Sequence, residues 1–479
     1  MMRPQVARSV ARGNGGRPLG LAARVAALGG AVSFLASLQG CSLLEGSVQP
    51  LPSGTENPSY YNSPSGALAF RNTAIAELQF ELPSYLLNTG LLTDELETAV
   101  PGQSSGLGGG SASTATPSLD GRVLPVGSGL TDGDYSSLQA VRGTATQAIG
   151  TLATYDSAAP PALRGELYAL EGYAEILLAD FFCSGVPLSA VGYQTDYTYH
   201  ASSTTAQVYQ NALASLDTAL TLTGDSARLQ NLARVLRGRA FLALGGPANL
   251  DSAAQAVAAV PDGFQYQLAV NFGNISQNLA ANTYLFGIFS VALATMSDHE
   301  GGNGEAYLSS LDPRTTSVQM QQSTTNGPPI VFNLPSKYGF SGFTPFTVAD
   351  WIEARLIQAE AALQAHDVPT YLAQLNHLRL TATVPGQMAS LDPLTDPGAQ
   401  LSGPAADTAR VSLLFRERAY WLYLTGHRQG DLRRLIRQYG RRQDQVYPTG
   451  PGYGSDVTAP IPQAEYDNPL FHGCLDRNA

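Results

Sequence analysis

The chain has 479 residues, of which 44% are hydrophobic and 14% are charged. A chain of this composition can bury a large core and is not intrinsically disordered, and its length allows one large domain or up to about three average ones. Acidic residues outnumber basic residues by 38 to 27, and an acidic surface disfavours nucleic acid and anionic lipid headgroups as partners.

The first forty residues have the features of a secretion signal. Residues 1–40 contain five arginines, no acidic residue, and the apolar run Val25–Leu38, which is too short to span a bilayer as a mature helix. The run ends in Leu-Gln-Gly-Cys41, which resembles the lipobox after which a signal peptidase cuts and the cysteine is acylated. We therefore expect Cys41 to anchor the mature chain on a membrane that the chain does not cross.

Removal of this signal changes the charge balance and leaves an even number of further cysteines. Subtracting its five arginines from the 27 basic residues gives the mature chain a net charge of −16. The cysteines that remain after Cys41 are Cys183 and Cys474. Outside the cytoplasm an even pair of this kind indicates a disulfide, and we predict that these two residues are bonded.

Apolar residues at helical spacing dominate the chain after a tether at residues 41–65 that is rich in Pro, Ser and Gly. This spacing predicts helices at Gly66–Leu87, Asp134–Tyr155, Leu163–Phe182, Thr204–Leu222, Ser226–Leu244, Leu250–Val260, Val348–Ala365, Thr370–Thr381, Ala405–Thr425 and Leu432–Tyr439. The low-complexity stretch Pro101–Ser118 predicts a surface loop. Residues 261–347 form aromatic-rich segments, too long for structureless connections unless they serve a function.

Two pairs of these helices have the pattern of tetratricopeptide-type hairpins. In the pair within Ser226–Val260, small residues such as Gly238 allow two helices to approach closely. The second pair is Leu163–Phe182 with Thr204–Leu222, whose first residue is a typical N-cap. A generic helical bundle explains the spacing equally well.

The predicted fold class is therefore mostly α with long irregular loop insertions, and the helix pairs are either tetratricopeptide-like helical hairpins or parts of a generic bundle. We expect residues 66–479 to form a single domain. Its first part, residues 66–260, holds the helical repeats, and residues 261–479 hold the loops and the C-terminal helices.

The stretch Glu417–Leu435 places acidic, basic and imidazole groups beside Trp and Tyr side chains. Because the helix Ala405–Thr425 is apolar nearly all round, it should be buried. A buried Glu417 or Arg418 is costly unless it is paired. The nearest candidate partners in the sequence are Arg428 and Asp431, just beyond the turn. We therefore interpret Glu417, Arg428 and Asp431 as structural ion pairs rather than catalytic groups.

Other catalytic and metal-binding patterns are missing from the sequence. The six histidines show no HExxH spacing, and the chain carries no GxSxG elbow and no phosphate-binding loop. We accordingly expect no enzyme activity, no catalytic residue and no cofactor. One loop offers oxygen ligands that suit calcium, namely Asp298, Glu300, Asn303 and Glu305. Such a stretch is more commonly a solvated loop that binds no ion.

Aromatic side chains are concentrated in three loops. Sugar rings and peptides are commonly bound by aromatic faces and a few polar groups held on loops. The candidate ligand-binding residues are Tyr193, Tyr197, Tyr199, Phe264, Tyr266, Tyr338, Phe340 and Phe343. Packing of these rings into the core or into a partner interface is at least as good an interpretation.

Five fragments, in this order, resemble the SusD/RagB family of outer-membrane nutrient-binding lipoproteins: Phe181–Ser189, Leu311–Arg314, Ala354–Leu363, Glu417–Leu435 and Ala459–Pro469. The resemblance implies a mostly helical fold on tetratricopeptide-like hairpins that supports a loop-rich ligand-binding face. It also implies a partner, a SusC-type TonB-dependent barrel to which such proteins deliver an oligosaccharide or peptide. The chain would then be anchored by lipid at the outer membrane, facing the cell exterior.

Two functions of different classes follow from the sequence. The first is a lid that captures a polymeric nutrient for such a barrel. The second is a tetratricopeptide-type scaffold lipoprotein of the envelope that binds no nutrient, and an anchored hydrolase is a distant third. A TonB-dependent barrel encoded by the neighbouring gene would favour the first function alone.

Overall fold

Long α-helices form the framework of the protein, as the apolar spacing predicted. The computed structural model describes residues 61–99, 118–192, 197–268, 294–323, 329–338, 345–383 and 390–479. The main helices are α1 (Pro64–Leu92), α2 (Gly129–Tyr155), α3 (Pro161–Phe181), α4 (Thr205–Leu222), α5 (Ala227–Leu244), α6 (Pro247–Val257), α7 (Trp351–Gln364), α8 (Val368–Thr381), α9 (Pro404–Trp421) and α10 (Arg428–Arg437). The signal segment, the tether up to residue 60 and most of the low-complexity stretch lie outside the described residues.

Consecutive helices pack as hairpins. Helix α3 lies against α4, α5 against α6, and α7 against α8, which confirms both predicted pairs and adds a third. Glycines allow the close approach: a Cβ at Gly172 of α3 would lie 2.9 Å from Leu216 Cγ of α4, and one at Gly238 of α5 would lie 2.7 Å from Val257 Cγ1 of α6. Real Cβ atoms do not tolerate such distances, so a larger residue at either position would separate its helix pair.

Local capping fixes the start of α4 where the sequence predicted it. The Thr204 hydroxyl accepts a hydrogen bond from the backbone N–H of Gln207 at 3.2 Å, and the Gln207 side chain accepts one from the backbone N–H of Thr204 at 2.8 Å. This reciprocal arrangement satisfies two N–H groups that would otherwise lack partners at the helix terminus.

Helix α9 ends at Trp421, four residues before the predicted end. Beyond it, the Tyr423 carbonyl accepts a hydrogen bond from Lys337, and the Leu424 N–H donates to the Glu95 carboxylate. Because distant residues satisfy these backbone groups, the chain leaves the helix although the apolar pattern continues.

The residues predicted as irregular loops contain short antiparallel strands. The paired strands are β1 (Leu96–Thr98) with β7 (Ala294–Met296), β2 (Val186–Pro187) with β5 (Ser202–Ser203), β3 (Ala190–Val191) with β4 (Tyr197–Thr198), β6 (Gln265–Leu268) with β10 (Phe346–Asp350), and β8 (Ser317–Gln322) with β9 (Ile330–Pro335). In β9, Phe332 and Leu334 are buried while Val331 is exposed. The sequence analysis missed these strands because they are short and several pair with distant segments, as in Leu268 opposite Phe346.

The C-terminal segment closes onto the end of α3. Ala459 forms a parallel bridge with Phe182, and Ser184 forms an antiparallel bridge with Asp476. The described residues belong to one compact unit, Ser53–Ala479, with a large apolar core that includes residues of all the helices named above except α10. Within the described residues, no helix combines the length and hydropathy that a membrane span requires.

Candidate functional site

Glu417 of α9 is fully buried and lies in an ion cluster with two arginines. Its carboxylate accepts hydrogen bonds from Arg314 and Arg379, each at 2.8 Å. Arg314 also forms a bidentate pair with Asp312, at 2.8 and 2.7 Å. Two of the fragments singled out in the sequence, Leu311–Arg314 and Glu417–Leu435, are therefore in direct contact.

The neighbouring residue, Arg418, belongs to a second buried cluster. It donates two hydrogen bonds to Asp431, at 2.8 and 2.9 Å. Asp431 also accepts one from Arg434 at 2.9 Å, and Arg434 in turn pairs with Glu360 of α7 at 2.8 Å. Burial favours the protonated carboxyl, but the arginines outweigh it and hold the pKa of Asp431 well below its usual range.

Of the candidate pairs that the sequence offered, Arg418 does contact Asp431, but Glu417 does not contact Arg428. Arg428 lies instead beside Asp94 and Glu305, with nitrogen-to-oxygen distances of 3.5 and 3.8 Å. Successive helical residues point about 100° apart, so Glu417 and Arg418 face different neighbours. The partners of Glu417 come from segments that are remote in the sequence, which spacing along the chain does not reveal.

These clusters resemble structural ion pairs more than a catalytic centre, because nearly every charge in them has an opposite charge in contact. Arg314 also contacts two aromatic rings. Its guanidinium lies 5.1 Å from the ring centre of Tyr420 and 4.9 Å from that of Trp421. Cation–π contacts of this kind hold both rings in place. Both aromatic residues line a pocket.

This pocket, called the Lys337 pocket below, has a volume of about 250 Å³ and lies where six segments meet. They are β6, residues 313–316, residues 336–338, residues 345–352 at β10 and the start of α7, Thr383 after α8, and the end of α9 with the turn that follows. The lining residues include Gln265, Gln267, Arg314, Thr316, Ser336, Lys337, Tyr338, Asp350, Tyr420 and Trp421.

Lys337 is the only lysine in the chain. Its ammonium group donates a hydrogen bond to the Tyr423 carbonyl at 2.5 Å. Burial lowers the pKa of Lys337 to about 8, although the carboxylates of Asp350 and Glu95 oppose the shift. At neutral pH the group is therefore mostly a cation in a poorly solvated position.

Two aromatic residues of the pocket differ in how their polar atoms are used. The Tyr338 hydroxyl donates to the Leu424 carbonyl at 2.6 Å, which fixes the ring at the pocket wall. Trp421 is 8% exposed, and its indole N–H has no hydrogen-bond partner in the described part of the chain. Buried polar groups rarely remain unpaired, so Trp421 offers an unused donor.

Outside this pocket, the β3–β4 hairpin presents two predicted ligand-binding residues to solvent. Tyr197 is 52% exposed and Tyr199 is 43% exposed, and their rings meet edge to face with centres 4.8 Å apart. They form a small exposed aromatic surface. The other predicted residues of these loops, Tyr193, Phe340 and Phe343, lie outside the described residues.

Phe264 and Tyr266 do not present their rings to a ligand, contrary to the sequence-based prediction. Both are buried in the main core. The Tyr266 hydroxyl donates to Glu166 at 2.7 Å, and the Arg228 guanidinium lies 4.1 Å from the centre of its ring. The cause is strand β6, which turns Tyr266 towards the helices while Gln265 and Gln267 line the Lys337 pocket.

The two cysteines predicted to pair are joined by a disulfide. The Cα atoms of Cys183 and Cys474 lie 5.9 Å apart, and the bond links residues 291 positions apart in the chain. It lies where the C-terminal segment meets the end of α3. Cys41, the predicted lipidation site, lies outside the described residues.

The acidic loop considered for calcium shows no converging ligand set. In the parts of the chain that the structure describes, no three His, Cys, Asp or Glu side chains group to hold a metal ion. Asp298 accepts from the Ser309 N–H at 3.0 Å, and Glu300 accepts from the Tyr453 hydroxyl at 2.7 Å. Burial and the neighbouring Asp120 raise the pKa of Glu300 to about 11, so this carboxyl is neutral. The Asn303 amide nitrogen donates to the Asp444 and Tyr447 carbonyls, and Glu305 lies beside Arg428.

The buried Glu95 carboxyl accepts a hydrogen bond from the Leu424 N–H, in the turn after α9. From this group we predict a pH dependence of stability. Burial raises the pKa of Glu95 to about 7, above its value of about 4.3 in an unfolded chain. Its contribution to stability is therefore fully present below about pH 4.3 and is lost as the pH rises through about 7.

We expect the free energy of unfolding to fall between pH 5 and pH 8, and Glu95→Gln to reduce that fall by up to about 3 kcal/mol. The Gln side chain can still accept from the Leu424 N–H. Urea unfolding at both pH values measures the effect, with the exposed Asp444→Asn as control. A Glu95→Gln protein with the wild-type pH dependence would contradict the assignment.

The sequence analysis missed most of the Lys337 pocket. Of the predicted binding residues that the structure describes, only Tyr338 lines it, and the helix that carries Trp421 was expected to be buried. The single lysine and the fragment Leu311–Arg314 are the sequence signals that could have pointed there, but neither shows that six segments meet. That information exists only in the folded chain.

Comparisons with known proteins give the fold. No protein-family model matches the sequence, and no curated protein matches it. Several solved structures do match. B. fragilis NanU has 15% identity to this chain and a TM-score of 0.59, and the match covers 89% of this chain and 99% of that one. A SusD superfamily protein from Bacteroides thetaiotaomicron has 14% identity, a TM-score of 0.62 and coverage of 86% and 99%. Another from Bacteroides fragilis has 17% identity, a TM-score of 0.59 and coverage of 86% and 99%.

The protein therefore has the SusD-like fold, which confirms the fold that the five sequence fragments implied. The likeness covers 86–89% of this chain and extends over nearly the whole of each matched structure.

Proposed function

We propose that this protein is a lipid-anchored, outer-membrane nutrient-binding protein that delivers a captured oligosaccharide or peptide to a SusC-type TonB-dependent barrel. It faces the cell exterior and releases its ligand chemically unchanged. The alternative is an envelope scaffold that binds no nutrient.

The observation that carries this proposal is the extent of the structural likeness. The chain matches SusD superfamily structures over 99% of their length, so it has the whole fold and not one shared hairpin. A fold alone does not determine a function. The Lys337 pocket and the exposed Tyr197–Tyr199 pair add concave and aromatic surfaces of the kind that ligands use.

Purification from native membranes tests the partner, and a glycan and peptide array tests the ligand. We expect a TonB-dependent barrel to co-purify and at least one oligomer to bind without cleavage products. Recovery of the protein alone, together with turnover of an arrayed substrate, would contradict both parts. Recovery with other envelope proteins and no bound oligomer would favour the scaffold.

The exposed tyrosine pair should contribute to binding by stacking. We expect the double variant Tyr197→Ala, Tyr199→Ala to bind the oligomer identified on the array about tenfold more weakly, because each aromatic contact is worth about 0.5–1.5 kcal/mol. The melting temperature should change little, since both side chains are about half exposed. Phe80→Ala on α1, where the ring is 54% exposed, is the matched control. Unchanged affinity in the double variant would place the ligand elsewhere.

The anchor gives a separate prediction. Acyl chains on one cysteine hold a protein on a membrane nearly permanently, since each buried methylene contributes about 0.8 kcal/mol. We expect Cys41→Ala to move the protein from the membrane fraction to the soluble fraction, as measured by fractionation and intact mass. Membrane association and maturation at the same site in the variant would show that Cys41 is not lipidated.

A further inference from the structure

The Lys337 ammonium lacks an opposite charge in direct contact. Among the described residues its hydrogen bond goes to the Tyr423 carbonyl, and Asp350 and Glu95 act on it without forming an ion pair. By contrast, the buried Arg239 holds the Glu353 carboxylate through two hydrogen bonds, at 2.6 and 2.7 Å. An ammonium group has three N–H donors, so two remain for a ligand.

Lys337 is partly buried, and Asp350, which also lines the pocket, acts on its ammonium group without pairing with it. A carboxylate that enters the pocket and pairs directly with this cation would stabilise it. The same pocket is lined by Trp421, whose buried indole N–H has no partner in the described residues. Lys337 and Trp421, which carry one charged and one neutral donor, thus both line one cavity. A carboxylate accepts up to about four hydrogen bonds, so a single carboxylate has the capacity to accept from both.

The other lining residues indicate the kind of molecule that carries this carboxylate. Gln265, Thr316 and Ser336 supply amide and hydroxyl groups, which suit the hydroxyls of a sugar ring. Tyr338 and Tyr420 supply aromatic surface. The volume of about 250 Å³ lies below the roughly 300–1,000 Å³ typical of drug-sized ligands, so the pocket suits the end of an oligomer rather than a length of it.

We propose that the Lys337 pocket binds the terminal acidic sugar of a captured glycan, with the Lys337 ammonium group paired to the sugar carboxylate and the Trp421 indole N–H as a further donor. This inference rests on the proposed function and narrows its ligand to glycans that end in a uronic acid. The acidic chain, with a net charge of −16 once the predicted signal is removed, gives such a ligand no long-range attraction, so recognition depends on these local donors.

Calorimetry with the purified mature chain tests the proposal. The probes are trigalacturonate, dimannuronate and a hyaluronan tetrasaccharide, each beside its methyl ester, which removes the charge and keeps the sugar. We expect at least one acid to bind about tenfold more tightly than its ester. Lys337→Gln should abolish that difference, Lys337→Arg should retain part of it, and Trp421→Phe should reduce it.

Control variants separate the effect of the lost Lys337 charge from an effect on folding. Arg442→Gln removes an exposed cation that does not line the pocket and should leave the difference between acid and ester unchanged. Melting curves show whether each Lys337 variant is folded, and Lys337→Arg keeps the test valid if Lys337→Gln is not.

Several outcomes would overturn the inference, and they differ from failure of the proposed function. If every acid binds with the same affinity as its ester and a neutral glycan also binds, the pocket does not recognise an acidic sugar. The nutrient-binding function would then remain in place. Binding of trialanine alone, lost in Lys337→Gln, would assign the pocket to a peptide carboxylate and reject the sugar. Absence of binding to any glycan or peptide would count against the proposed function itself.

Discussion

Replacing Asp431 with Asn should lower the free energy of unfolding by about 3–5 kcal/mol, because it removes one partner of a buried ionic cluster. Arg418 and Arg434 both donate to this carboxylate and both are buried. An Asn side chain keeps the size but carries no charge, so the two guanidinium groups would share only Glu360. Chemical denaturation at pH 7 measures the loss.

Asp444→Asn is the matched control, because Asp444 also pairs with an arginine, Arg442 at 2.9 Å, but both side chains are mostly exposed. Exposed pairs contribute about 0–1 kcal/mol, so this variant should unfold almost as the wild type does. An equal and small loss in both variants would mean that the Asp431 cluster adds little. A stable Asp431→Asn protein that fails to bind ligand would instead assign the cluster to the functional site.

Removing the disulfide should have an effect of similar size. The bond closes a loop of 291 residues, and the chain-entropy model gives such a loop about 5 kcal/mol of stabilisation, which is an upper figure. The double variant Cys183→Ala, Cys474→Ala should therefore unfold at a much lower denaturant concentration than the oxidised wild type. Thiol titration in denaturant, with and without reductant, verifies the bond.

The single variants provide the internal control for the disulfide. Cys183→Ala and Cys474→Ala should each lose about as much stability as the double variant, because either change opens the same loop. Additive losses would show that each side chain matters for packing and that the bond contributes little. A wild-type protein as stable in reductant as without it would lead to the same conclusion.

The sequence predicted the helices well where local signals agree. For α4 the apolar spacing and the Thr204 cap both fall at the observed start, and the structure places the helix at Thr205–Leu222. The prediction failed at the end of α9 because Glu95 and Lys337 compete for backbone groups there. Tertiary contacts of this kind override local propensity.

The candidate site was less predictable than the fold, for a related reason. The partners of Glu417 lie 103 and 38 residues away in the chain, and the Lys337 pocket needs six segments. Tyr266 shows the opposite error: its aromatic ring in a predicted loop resembled a binding residue, yet strand β6 directs it into the core. A side chain's direction within a short strand depends on register, which a single sequence fixes weakly.

The closure of the C-terminal segment onto α3 also sets an order on folding. The backbone N–H of Cys183 donates to the Ala459 carbonyl, and the Ala459 N–H donates to the Phe181 carbonyl, so the end of this central helix lacks its partners until the last part of the chain has been synthesised. Contacts between such distant segments form late and slow the folding of a chain. Cys183 therefore cannot form its native bond until the chain has reached Cys474. A chain that ended a few residues before Cys474 would contain all ten helices named above but could not form this disulfide.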